Sequence, residues 1–396
     1  MSPLLLRHFT ATSALGRGLE ATLAALTAGR SGLERCSFES VTLDTCVGEA
    51  HGVDDAPLPA AFGEFECRNN RLALLGLSQD GFSEAVAASA ARYGAERVGV
   101  FLGTSTSGIL ETELAYRRRG SDGALPADFR YAGAHNSFSL AAFVQRALHL
   151  AGPAVVISCA CSSSAKVFAS ARRAIAVGLI DAAVVGGVDS LCLTTLYGFH
   201  SLQLIAPHPC RPFDRAREGI SIGEAAAFAL LERPPNSLDA QSVLLLGTGE
   251  SSDAHHMSSP PPDGRGARAA MLEALAAAQL APNDIDYLNL HGTATGSNDE
   301  AEARAVASVL GAQVPASSTK GATGHTLGAA GALEAIVCAL ALQHEWLPGG
   351  VNTREVDPAL QVNYLLAGRP QRLLRVMSNS FGFGGSNCCL ILGRAG

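Results

Sequence analysis

Short apolar runs alternate along this chain with Ala-rich segments of helical period. The runs "RVGVFLGTS" (97–105), "PAVVISCA" (153–160), "DAAVVGGVDS" (181–190) and "AAAFALLE" (225–232) have too few polar positions to leave one face in water, so they predict buried strands. "GLEATLAALTAG" (18–29), "SEAVAASAARYG" (83–94) and "SSAKVFASARRAIAVG" (163–178) predict helices, the last stopping at Gly178. At 233–241, "RPPNSLDAQ" marks a linker, because two prolines with Asn, Ser and Asp cannot continue either period. The alternation then restarts: strand 242–250, helix 267–281, strand 285–292, helix 299–311, a turn and helix over 318–343, and a closing strand region over 376–393.

Buried strands alternating with helices predict an α/β fold with mostly parallel sheets covered by helices. Segments 157–178 and 317–343 are alike, each a Ser/Thr/Gly-rich turn leading into an Ala-rich helix. That likeness points to an internal duplication, with halves 1–234 and 235–396 each aiming a helix start at a shared centre. Ala-rich helices also resemble one another by composition alone, so the periodicity does not settle the point.

Composition narrows the class. Of 396 residues, 47% are hydrophobic and only 16% charged, which suits a large core and a buried subunit interface. The net charge of −7 gives no global basic field for nucleic acid, so an acidic partner would need a local Arg patch. The ten cysteines include no CxxC pair, and the start of the chain does not read as a signal peptide, so free thiols in a reducing cytoplasm are expected. No uninterrupted apolar run reaches the roughly 20 residues that span a bilayer. Among 29 basic residues only Lys166 and Lys320 are lysine, and both fall in the most motif-like stretches.

Candidate chemistry begins at "ISCACSSSAK" (157–166). Cys161 is placed in the first turn of the following helix, where unpaired N–H groups favour an anion and should lower the thiol's pKa. Cys159 is still in the strand. Alternation puts both on one face, so only the helix start favours Cys161, and a packing role for either remains open. A C-x-C metal site is disfavoured, because Cys388 and Cys389 face opposite ways along a strand. "LNLHGTATGSND" (288–299) places His291 at a strand end, and "TKGATGHTLGAAGALE" (319–334) places His325 at a helix start, five residues after Lys320. Two neutral imidazoles donating to one oxygen suit stabilisation of an enolate, and a nearby cysteine suits acyl transfer to sulfur. "FGFGGSN" precedes a strand, not a helix, so a dinucleotide reading is weak.

With these residues in hand, the chain resembles the β-ketoacyl-acyl-carrier-protein synthases, decarboxylating condensing enzymes of the thiolase superfamily. The anchors are "ISCACSSSAK", "HGTAT", "KGATGHTLGAAG" and "NSFGFGGSN" in that order, with "PCRPFDRAREGISIGEAAAFALLE" (209–232) closing the first half. The resemblance implies a five-layer αβαβα sandwich of two thiolase-like halves. It implies Cys161 as nucleophile, His291 and His325 as donors to the enolate, and backbone N–H groups of Cys161 and Phe383 as the oxyanion hole. Thr293 and Thr295 would bind the pantetheine arm, Phe381 and Phe383 would flank a mobile loop with Phe383 gating the acyl pocket, and Lys320 would act around His325 through Glu334. The implied partners are an acyl carrier protein and a second subunit, identical or related, with no cofactor and no resident metal. Arg68 and Arg71, or the run Arg117, Arg118 and Arg119, could dock an acidic carrier.

Three departures point to a specialised pathway such as an aryl-polyene or polyketide-like one. The nucleophile motif is "CACSSS", Cys388 and Cys389 follow "GGSN", and the N-terminus lacks the usual apolar first strand with its Gly-rich turn. The rival readings are a thiolase-type acyl-CoA enzyme, a catalytically silent chain-length-factor subunit, and a redox- or metal-binding thiol protein.

Overall fold

The computed structural model describes residues 2–55 and 57–395. Its main sheet holds two copies of one pattern. In the first, the strands run in spatial order Ala154–Ile157, Val98–Gly103, Ala182–Asp189, Ala225–Glu232, Leu4–Ser13. In the second the order is Pro315–Ser317, Tyr287–Asn289, Arg375–Gly382, Ser386–Arg394, Val243–Ser252. In both, the first three neighbours are parallel and the last two pairings antiparallel. This shared order supports the duplication far better than Ala-rich composition could. The copies are joined along one short ladder, Leu4–Leu6 against Val243–Leu245.

The core lies in three slabs, which makes the five layers. The middle slab packs the helices Ser163–Ala176 and Ala330–His344 between both sheets. An outer slab joins the first sheet to Arg68–Leu77, Phe82–Tyr93 and Phe138–Ala147, and another joins the second sheet to Arg265–Ala278 and Gly296–Val309. The two middle helices touch closely at Gly331, where an added Cβ would stand 2.7 Å from that of Ala165. The 18 residues Leu327–His344 are long and apolar enough to cross a membrane, yet 89% of that stretch is buried inside the sandwich.

The N-terminal expectation is overturned. Leu4–Ser13 is a buried central strand, paired with Ala225–Glu232 on one edge and Val243–Ser252 on the other. Arg7 and His8 break its apolar run at a register shift between Leu6 and His8, and that interruption hid the strand from a periodicity reading. The other predicted elements are present, with ends displaced by a few residues.

Candidate active site

The strand Ala154–Ile157 delivers the nucleophile candidate through a sharp turn. Ala160 is held at φ +55°, a region costly for a residue with a Cβ. Ser163 Oγ pins the turn, accepting from the Cys159 N–H at 2.9 Å and donating to the Ala160 carbonyl at 2.6 Å. Cys161 therefore lies two residues before the helix Ser163–Ala176, not within its first turn. The left-handed residue between the cysteines also separates their surroundings. Cys159 Sγ lies 3.3 Å from Ser162 Oγ, while Cys161 Sγ lies 3.0 Å from His325 Nε2.

Burial pushes the Cys161 thiol up to about 11, against the pull of the Phe383 N–H, the Lys320 charge and its own N–H. The expected lowering by a helix start is thus reversed, because removing a thiolate from water outweighs those dipoles here.

The second half supplies the imidazoles. His325 is anchored by its own N–H to the Ser221 carbonyl at 2.7 Å. The Leu327 N–H donates to His325 Nδ1 at 3.1 Å, so the neutral ring carries its proton on Nε2, facing Cys161. His291 follows the strand Tyr287–Asn289. Glu302 holds its turn by accepting the N–H groups of His291 and Gly292, each at 2.8 Å. The Lys320 ammonium lies 3.4 Å from His291 Nδ1 and 2.5 Å from the His291 carbonyl, and it also pairs with Glu334. Lys320 thus contacts His291 directly, while its charge also reaches His325, the histidine the sequence pointed to. The two rings meet edge to face with centroids 5.5 Å apart. Burial, and then the Lys320 charge, hold both imidazoles well below the ordinary range, so both are neutral at physiological pH.

The ligating atoms of Cys161, His291 and His325 all lie within 4.8 Å of one another, a spacing that would suit a thiophilic metal. The surrounding hydrogen bonds do not fit one. A metal-bound His presents a lone pair to the ion and donates its other N–H outward. Here both outward nitrogens face donors, the Leu327 N–H and the Lys320 ammonium. The arrangement presents two N–H donors to the cleft.

That cleft is lined by Cys161, His291, His325, Thr293, Thr295, Phe381 and Phe383 among others. The Thr293 and Thr295 hydroxyls lie 2.9 Å apart along its wall. Phe381 packs on the His291 ring at 5.8 Å, and Phe383 on Phe199 at 5.5 Å.

Comparison with known proteins converges on one family. Residues 70–236 match the beta-ketoacyl synthase N-terminal domain, and residues 243–354 match the beta-ketoacyl synthase C-terminal domain. Nodulation protein E of Rhizobium meliloti is 38% identical over 302 residues, covering 74% of this chain and 75% of that protein. The 3-oxoacyl-(acyl-carrier-protein) synthase 2 of Coxiella burnetii is 33% identical over 315 residues, with 76% of each covered. The chain belongs to the β-ketoacyl synthase family. Among solved structures, a chain of the ketosynthase ApeO in complex with its chain length factor ApeC from Xenorhabdus doucetiae superimposes with TM-score 0.90 at 39% identity, covering 99% of this chain and 98% of that one. A beta-ketoacyl synthase from Burkholderia phymatum gives TM-score 0.88 at 30% identity over the full length of both chains. The protein is accordingly a condensing acyltransferase of the thiolase superfamily, with that superfamily's sandwich fold.

Two arginines of this ketosynthase are not where a docking role needs them. Arg68 is 3% exposed, held by Glu224 at 2.7 Å, Asp54 at 2.6 Å and Glu49 at 3.0 Å, beneath the Phe38 ring. Arg71 is half-buried against Glu66. For Arg68 the local sequence cannot show a carboxylate brought from 156 residues away. Arg117 and Arg119 are exposed, and Arg118 pairs with Asp128 at 2.9 Å. Lys166, the other lysine, lies 3.6 Å from Glu250, away from the cleft lining.

The sequence reading missed two carboxylates of the ketosynthase site. Glu302 holds the His291 turn, and burial pushes it up to about 7. Asp189 holds the turn after His325. A lone acid ending the apolar run "AAVVGGVD" was the available signal for Asp189, and an acid six positions past the helix start at Gly296, on its inward face, was the signal for Glu302.

Proposed function

We propose that this ketosynthase transfers an acyl group from acyl carrier protein to Cys161 and condenses it with malonyl-carrier, releasing CO₂ and a β-ketoacyl-carrier two carbons longer. The observation that carries this reading is the pair of Nε2–H donors, His291 and His325, facing the sulfur of Cys161 in one cleft.

In the first half-reaction the Cys161 sulfur attacks the carrier thioester, and the thiol proton leaves with the departing pantetheine thiol. The N–H groups of Cys161 and Phe383, which face the sulfur, meet the oxyanion. In the second, the malonyl thioester carbonyl accepts from both imidazoles, so the enolate left by loss of CO₂ forms against fixed dipoles in a dry site. The enolate carbon attacks the acyl-enzyme, and the freed Cys161 sulfur takes up one proton. Thr293 and Thr295 line the path of the pantetheine arm. Phe383, its ring tilted against that of Phe199, gates the acyl side. No cofactor is needed beyond the arm the carriers bring.

The wider setting is part of the same proposal: a cytoplasmic enzyme, working in fatty-acid or aryl-polyene/polyketide-type elongation, as a homodimer or paired with a related subunit. The likeness to a chain of the ApeO–ApeC complex supports the specialised pathway and the paired state. The exposed Arg117 and Arg119 are the docking candidates for an acidic carrier. A silent chain-length-factor role lacks support here, because the thiol, both imidazoles and the cleft are all present. Mass spectrometry of the protein incubated with a panel of acyl-carriers tests the proposal: an acyl adduct on Cys161 is expected, and no adduct with any carrier would refute it.

A further inference from the structure

Asp189 ends the strand Ala182–Asp189 in the first half of the molecule and is wholly buried. No arginine or lysine pairs with it in any described ion pair; its charge is met by backbone and hydroxyl donors alone. Oδ1 accepts from Thr104 Oγ1 at 2.8 Å, Thr106 Oγ1 at 2.7 Å, and the Ser105 and Thr106 N–H groups, each at 2.8 Å. Oδ2 accepts from the Ser105 N–H at 3.0 Å and, across the two halves, from the Gly328 N–H at 2.5 Å. A buried carboxylate is costly unless its lone pairs are filled, so this arrangement fixes what surrounds it.

Gly328 follows Leu327, the residue whose N–H sets the His325 ring. Leu327 is held at φ +52°, a left-handed conformation that a leucine adopts only under constraint. The Asp189–Gly328 bond supplies that constraint one peptide further on. No bulkier residue fits at 328, since an added Cβ would stand 2.7 Å from both Asp189 Oδ2 and Ser105 Oγ.

We propose that Asp189 is a positioning residue for the condensation: through Gly328 it holds Leu327 in its strained turn, and so fixes His325 as the Nε2–H tautomer that donates into the cleft. If the turn relaxes, the Leu327 N–H leaves Nδ1, the ring proton can move there, and Nε2 turns a lone pair toward the developing enolate. The role is remote, because Asp189 touches neither Cys161 nor His325. It also makes the donor state of a second-half histidine depend on a first-half strand.

The test uses the full-length protein labelled with ¹⁵N-histidine, the His325 ring signals being assigned by their absence in His325→Gln. Wild type should show the Nε2–H tautomer; an Nδ1–H ring there overturns the proposal before any variant is made. Asp189→Asn and Gly328→Ala break the contact from its two sides, so a folding failure of one leaves the other. Each should convert His325 toward Nδ1–H and cut CO₂ release from malonyl-carrier by about 10²-fold, the scale for losing one oxyanion donor. In Gly328→Ala, alkylation of Cys161 by iodoacetamide should not outpace wild type, whereas a general loosening of the site would expose the buried thiol and speed the reaction. Thr106→Val is the control: it removes a donor to Oδ1 but not the Oδ2–Gly328 bond, and should leave the tautomer as in wild type. An unchanged His325 tautomer in both contact variants overturns the proposal. The functional half rests on the reading of His325 as an enolate donor. A tautomer change without loss of CO₂ release would keep Asp189's positioning role and remove that reading instead.

Discussion

His325 Nε2 lies 3.0 Å from Cys161 Sγ while its Nδ1 already accepts the Leu327 N–H, so this imidazole faces the thiol as a donor and not as a base. In the proposed reaction the Cys161 proton therefore leaves with the departing thiol. Cys161→Ala should abolish acyl transfer to the protein and all condensation. Intact-mass measurement after incubation with acyl-carrier checks this, and acyl transfer surviving in the variant would contradict the assignment.

Losing either imidazole should separate the half-reactions. His291→Ala and His325→Ala should still acylate Cys161 but release ¹⁴CO₂ from malonyl-carrier about 10²–10³-fold more slowly, the range for one lost oxyanion donor. CO₂ release at the wild-type rate in either variant would remove that histidine from the decarboxylation step.

The pH dependence of Cys161 should follow its burial. With the thiol near 11, thiolate is scarce at neutral pH, and the log of the iodoacetamide alkylation rate should climb with unit slope to about pH 10. Lys320→Met removes one of the pulls toward thiolate and should slow alkylation further at every pH in that window. A plateau below pH 8 would mean that the helix start dominates after all.

Lys320→Met should also change the pH dependence of stability. Burial raises the Glu334 carboxyl to about 7 from 4.5, against the pull of Lys320. A raised carboxyl binds its proton more tightly in the folded state, so its contribution favours folding at low pH and declines as pH rises from the unfolded value to the folded one. In wild type that decline ends near pH 7. Without Lys320 the folded value rises further, and the decline continues above pH 7. Melting curves at pH 6, 7.5 and 9 should show the variant losing stability across the upper interval, where this group no longer affects wild type.

The contact between the middle helices leaves no room for a methyl. Gly331→Ala drives a Cβ against Ala165 and should cost about 1–3 kcal/mol, the usual range for overpacking. Chemical denaturation measures it, and the Gly331→Ala/Ala165→Gly double variant should recover only part of the loss, because the added Cβ also stands 2.7 Å from the Ala165 backbone nitrogen.

Much of this was legible in the sequence because two signals are local. Apolar strand runs and Ala-rich helices gave the α/β alternation; His291, Lys320 and His325 announce themselves by residue type beside glycine, and Cys161 by its place between a strand and a helix. What stayed hidden depends on long-range placement. Leu4–Ser13 reads as a broken pattern until its two edge partners, more than 200 residues away, are known. Arg68 looks solvent-facing until Glu224 arrives beneath it. The Cys161 shift reverses because local sequence shows the helix start but not the depth of burial.

The two middle helices have a consequence for biogenesis. The thiol is translated well before either imidazole, and the sulfur is enclosed only when the His325 turn and the helix Ala330–His344 settle against Ser163–Ala176. Ala332 makes that contact through its N–H to Ser164 Oγ at 2.9 Å. A nascent chain stopped short of that point bears an unguarded cysteine with no power to condense, so assembly of the fold and the onset of chemistry are one event.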